Sequence, residues 1–446
     1  GESERRDGEG VPTACPPEHK PSRVAARGTA KPFRPRARRS TDPPESPLDT
    51  PLGAPGFGDD ARMTVIAWIG AALGLLVLLS TLMSVVTSLV LPRLGSSRIQ
   101  KYAGRGTIKV FSGISHRFDT YEERDRFLAL QAPIYLIVIL AIWLAALLIG
   151  FALMLWPLMK TGGFVHALTV SGSSLFTLGF ATENGAAPRL LVFAAAATGL
   201  WIVALQIAYL PVLYGAFNRR EVLVTLLDSR AGSPAWGPEL LARSELVDMV
   251  QNLGSLYQRW EEWAADVAET HASYPVLIWF RSPHPYRSWV IGLLAVMDAA
   301  AMQLATQPLV APSEARAFLR MGYMCLRDIA RVVGVIYDPD PKPGDPIELT
   351  EDNYQDAIHH LEHAGWKMQR SAAESWVHFR GWRVNYESLA YRIADAVNAP
   401  PALWAGPRRN LPPRLQPPER PPHREPSAEM QRIHKLTEKR RSAREP

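Results

Sequence analysis

Five consecutive residues, Thr177-Leu178-Gly179-Phe180-Ala181, offer the clearest chemistry in this chain. They follow an uncharged stretch, 164–176, that can form a short helix, and they precede a long apolar run. A short helix whose C-terminus points along an axis places partial negative charge there. Extended backbone after it can turn carbonyls toward the same axis. Four copies around that axis would replace the hydration shell of a cation. Gly179 supplies backbone freedom for such a strand, and Thr177 adds a ring of hydroxyls at its inner end. The plainer alternative is a packed re-entrant loop that conducts nothing.

The surrounding elements follow from where charge is missing. Of the 446 residues 47% are hydrophobic, and they are concentrated. Residues 64–91, 127–159, 161–182 and 190–218 carry no Asp, Glu, Lys or Arg, and each run exceeds the roughly 20 residues that a helix needs to cross a bilayer. A purely soluble protein is excluded, as is a cleaved secretory signal before a globular domain. Two cysteines, Cys15 and Cys325, exclude a disulfide framework. The predicted spans are 64–91, about 132–159 and about 189–218, the first stopped by Pro92 and Arg93 and the last opened by Pro188. The run 161–182 is rich in Gly, Ser and Thr and reads as a re-entrant loop rather than a fourth span. Arg93, Arg98, Lys101, Arg105, Lys109, Arg117, Arg124 and Arg126 put the 92–129 linker in the cytoplasm, and Arg219 and Arg220 put the end of the third span there too. Only Lys160 and Arg189 flank the loop, which therefore faces out.

Span, short helix, T-x-G-F and span resemble the pore module of potassium channels, whose filter reads T-V-G-Y/F-G. The resemblance covers about 130–218, a fifth of the chain. It implies a selectivity filter at Thr177, Leu178, Gly179, Phe180 and Ala181, an outer mouth at Glu183, permeant potassium, and a homotetramer, since each chain brings one loop. Two positions depart from the pattern: Ala181 replaces the last filter glycine, and Thr182 stands where an acid usually follows. If Ala181 must be left-handed it costs about 1 kcal/mol or more. Gly199 and Pro211 in the third span are candidates for an inner-helix hinge; close packing is the alternative for Gly199.

Residues 221–400 read as a helical cytoplasmic domain, with apolar residues at helical spacing in 260–272, 288–305, 315–333 and 385–397 and a turn-rich linker at 338–346. Nine of the 13 tryptophans, Trp236 to Trp404, supply its core. His359, His360 and His363 with Glu362 read as a solvated helix face rather than a metal pair. The aromatic and basic stretch 269–289 reads as a helix-breaking turn, with a small-ligand or inter-subunit site as its rival. No phosphate-binding glycine pattern and no nucleophile elbow occur, so no enzyme activity, cofactor or nucleic-acid partner is expected. Residues 1–62 read as a disordered arm, either a real tail or sequence upstream of a start at Met63, and 405–446 as a basic disordered tail with 11 Lys/Arg against five Glu. The expected protein is thus all-α and integral to the cell membrane. It has three transmembrane helices, a re-entrant pore helix with filter, a cytoplasmic C-terminus and the lipid bilayer as partner. A non-conducting sensor or scaffold and a membrane-anchored hydrolase are the rivals.

Overall fold

Helices α1 (Asp59–Leu89), α2 (Arg98–Ser115), α3 (Tyr121–Ala129) and α4 (Gln131–Leu155) form the first part of a computed structural model that describes residues 59–90, 97–159 and 162–406. Most of the 1–62 arm, Pro92, Arg93, Lys160 and the tail beyond residue 406 lie outside the described residues. The chain continues through α5 (Gly163–Leu175), α6 (Ala186–Ala231), α7 (Gly237–Leu246), α8 (Leu253–Ser273), α9 (Trp289–Thr306), α10 (Glu314–Val333), α11 (Glu351–His363), α12 (Ala372–Arg383) and α13 (Glu387–Ala396). Every regular element among the described residues is helical.

Four stretches are long and apolar enough to cross a membrane: Arg62–Leu89, Tyr121–Leu158, Ala186–Ala231 and Trp289–Thr306. This composition is that of a multi-pass membrane protein. The fourth stretch, α9, adds to the three expected spans, but its surroundings set it apart: all eighteen of its residues are buried within the helical core of 224–405. A helix apolar on all sides suits either lipid or a protein interior, and α9 has the second.

Helices α1 and α4 cross closely at two small residues. A side chain on Gly74 would stand 2.6 Å from the Gly150 carbonyl oxygen, and Gly70 faces Trp156. Such close approach stabilises apolar helix pairs by dispersion where no hydrophobic effect acts between them. Ser84 of α1 is tied twice, accepting from Trp143 Nε1 of α4 at 3.1 Å and lying 2.7 Å from Ser97 Oγ.

The 92–129 segment, expected as a linker, contains α2 and α3. Ser97 and Gln100 form a capping box that starts α2, and Thr120 caps α3. Phe111 of α2 stacks on Phe127 of α3 with ring centres 4.8 Å apart. Helix α6 also differs from expectation. It does not stop near Asn218 but runs unbroken to Ala231, because the charge that should end the span, Arg220, is buried and hydrogen-bonded instead of solvated.

Candidate functional site

Helix α5 has thirteen residues, no charge, and neighbours on both sides. Ser171 Oγ donates to the Leu148 carbonyl of α4 at 2.9 Å. On the other side the Leu175 carbonyl oxygen comes so near α6 that a Cβ on Gly199 would lie 2.1 Å from it. Gly199 therefore has a packing task, and any side chain there would drive α5 and α6 apart. Helix α6 remains helical through both Gly199 and Pro211.

The five residues after α5 are organised by one side chain and its backbone. Ser173, buried, accepts the amides of Leu178 at 2.8 Å and Gly179 at 3.2 Å on its carbonyl, and the amide of Ala181 at 3.0 Å on its hydroxyl. The Thr177 amide donates to the Ser174 carbonyl at 3.0 Å. No donor among the described residues meets the carbonyls of Thr177, Leu178, Gly179 or Phe180. Four of the five amides are thus spent inward on α5, and the loop keeps its acceptors. Thr177 has φ +54° and Gly179 φ +73°, with negative φ at the residues between and after them. Alternating handedness reverses every second peptide, which lets successive carbonyls turn to one side. A β-branched residue at positive φ is a backbone outlier, and such strain persists where surrounding structure over-determines it; here the over-determination is Ser173 and Ser174.

Thr177, Leu178, Gly179 and Phe180 are all exposed. Ala181 is half-buried beside Leu155, Ala167 and Val170. Its φ is not positive, so the left-handed strain expected at this alanine does not arise. The strain falls instead on Thr177. Glu183, expected at the mouth, sits 3.2 Å from His166 Nε2 in the first turn of α5, closing the loop back onto the helix that began it.

The aromatic stretch 269–289 does more than turn the chain. Arg281 from it pairs with Asp125 of α3, donates to Tyr121 Oη at 2.6 Å, and reaches the carbonyls of Val397 and Asn398 at 2.8 and 2.9 Å. Tyr286 donates to Glu122 of α3, and Arg287 pairs with Asp228 of α6. Arg220 of α6 is fully buried, donating to Leu277 O at 2.8 Å, Phe280 O at 2.7 Å, His271 Nε2 at 3.0 Å and Glu221 Oε1 at 3.0 Å. This turn therefore fastens α3 and α6 to the helical core. Burial, and then the adjacent Arg220 charge, hold His271 well below the usual histidine range, so it is a neutral acceptor.

The histidine cluster is dispersed. His360 Nε2 lies 2.6 Å from buried Glu239 Oε2, and His359 faces Glu362 at 3.4 Å. His360 is therefore a partner of the core and not part of a solvated face. Among the described residues no group of three His, Cys, Asp or Glu is placed to hold a metal ion.

No protein-family model matches the sequence, and neither curated proteins nor solved structures yield a match.

Proposed function

We propose that the chain is one subunit of a potassium-channel-like, tetrameric cation channel, with α1, α4 and α6 as spans, α5 as pore helix, and residues 221–400 as a cytoplasmic domain. One observation carries this reading: the amides of Thr177, Leu178, Gly179 and Ala181 are bound inward, and the carbonyls of 177–180 have no donor among the described residues. In a bilayer, backbone acceptors need water or an ion, and a surface of acceptors without donors suits a cation and repels an anion. The exposure of these residues in a single chain is what a shared axis between copies requires. The orientation follows from the cations between α1 and α4 and at the end of α6. Glu183 adds negative charge at the outer mouth, and Pro211 and Gly199 are the places where α6 would bend if gating requires it.

Reconstituted protein in planar bilayers should carry current that reverses at a potential set by the potassium gradient. Gly179→Val puts a β-branched side chain at φ +73° and should abolish that current while the tetramer still forms. A wild-type protein that passes no current, with Gly179→Val indistinguishable from it in assembly and stability, would leave the non-conducting scaffold as the function.

A further inference from the structure

Helix α2 carries a feature that conduction does not use. Its eighteen residues, RIQKYAGRGTIKVFSGIS, contain four cations and no acid. Arg98, Lys101, Arg105 and Lys109 recur at spacings of three and four, which puts them on one stripe of the helix. All four are exposed, and none forms an ion pair among the described residues. Of the arginines elsewhere, Arg219, Arg243, Arg281 and Arg287 each meet a carboxylate. The acids that follow α2 are partly committed as well, Asp125 to Arg281 and Glu122 to Tyr286.

The other face of α2 fixes where this stripe lies. Ile99 and Ala103 pack on the α1–α4 contact, and Thr107, Phe111 and Ser115 are buried. Gly104 faces Tyr135 of α4, which shares a cluster with Tyr209 and Tyr274. Tyrosines gather where a bilayer meets water, and exposed Tyr102 stands beside the stripe. The middle of α2 is therefore held at the level of the interface, between the end of α1 and the start of α4.

We propose that the Arg98–Lys101–Arg105–Lys109 stripe is a binding surface for the headgroups of anionic phospholipids in the leaflet next to α2. The inference needs α1 and α4 to cross the bilayer and does not need the pore to conduct. Four basic side chains near an anionic surface act together and are screened by salt.

The test uses the full chain purified in detergent with equal amounts of phosphatidylglycerol and phosphatidylcholine, passed over a sizing column, and the co-eluting lipids counted by mass spectrometry. Wild type should retain phosphatidylglycerol preferentially. The quadruple variant R98Q/K101Q/R105Q/K109Q should lose that enrichment by about fivefold or more, whereas R98K/R105K should keep it, because charge and not shape is being read. Unchanged circular dichroism guards against misfolding. Equal enrichment in the quadruple variant overturns the proposal. So does a shift of the quadruple variant to a smaller assembly without lipid loss, which would make the stripe a contact between copies. Release of the lipid by millimolar inorganic phosphate would also overturn it, in favour of a free-anion site. If Gln at Arg408, Arg409, Arg414 and Arg420 removes the enrichment while the α2 variant does not, the basic tail and not α2 is the surface.

Discussion

Helices α1 and α9 are both long and apolar enough to cross a membrane, and they are opposite in what surrounds them. Along α1, Ile66, Trp68, Ile69, Leu73, Leu76, Leu79 and Met83 are each more than half exposed. In α9 every residue is buried, and Asp298 in its middle accepts from Tyr386 Oη at 2.9 Å and lies 2.5 Å from Arg383 Nη1. Hydropathy measures only how badly a segment wants to leave water. Whether lipid or protein receives it depends on neighbours, and a partnered internal charge marks the protein case.

The largest effect expected from this contrast is at Arg383, which also holds Glu387 at 2.9 Å. Arg383→Met leaves two carboxylates in the core without a cation and should lower stability by about 3–5 kcal/mol, read as a shift of the urea midpoint by tryptophan fluorescence. Leu76→Ala on the outer face of α1 should leave that midpoint within about 0.5 kcal/mol. Equal responses would mean the two helices share one environment.

The next effect tests α1 at its inner face. Gly74→Val sets a side chain against the Gly150 backbone, and overpacking of this kind costs about 1–3 kcal/mol. It should lower the temperature at which the detergent-solubilised protein aggregates, while Gly106→Ala, with open space around it, should not.

A smaller effect belongs to Ser173. Ser173→Ala removes the hydroxyl that accepts the Ala181 amide and should cost about 1–2 kcal/mol locally. Amide exchange at residues 178–181 should speed up by about tenfold, and Ser173→Thr, which keeps the hydroxyl, should restore it.

The smallest effect is a dependence on pH confined to the core side of the comparison. His271 is held neutral in the folded protein with its pKa well below 6.5. As pH falls below about 6.5 the unfolded chain binds a proton there that the folded chain refuses, so this histidine's contribution is full above that pH and declines below it, by at most about 1.4 kcal/mol per pH unit. The urea midpoint measured at pH 7 and pH 5.5 should fall more in wild type than in His271→Gln.

Much of the architecture was legible because charge-free runs are a strong signal: α5 covers 163–175 where 164–176 was expected. Helices α2 and α3 were hidden by their cations and by Gly104, Gly106 and Gly113, which weaken helix propensity, although the capping box at Ser97 and Gln100 was readable. The residues flanking the expected filter were harder to find. Ser173 matters through its carbonyl as much as its hydroxyl, and a carbonyl leaves no trace in residue type. His166 becomes notable only once folding brings it to Glu183. Arg220 looked like the polar end of a span, because its partners other than Glu221 lie 51 to 60 residues further along the chain.

Helix α6 spans 46 residues without a break, about 69 Å at 1.5 Å per residue, more than twice the roughly 30 Å thickness of the hydrocarbon core. Such a rod stays helical through Pro211 and on to Ala231, with no loop between its two portions to absorb a twist. Its far portion is gripped by the helical core through Arg220 and Asp228, and its near portion carries the seat of α5 at Gly199. A rotation applied at the grip is therefore delivered as torsion at the seat, in the manner of a key turned from outside the lock.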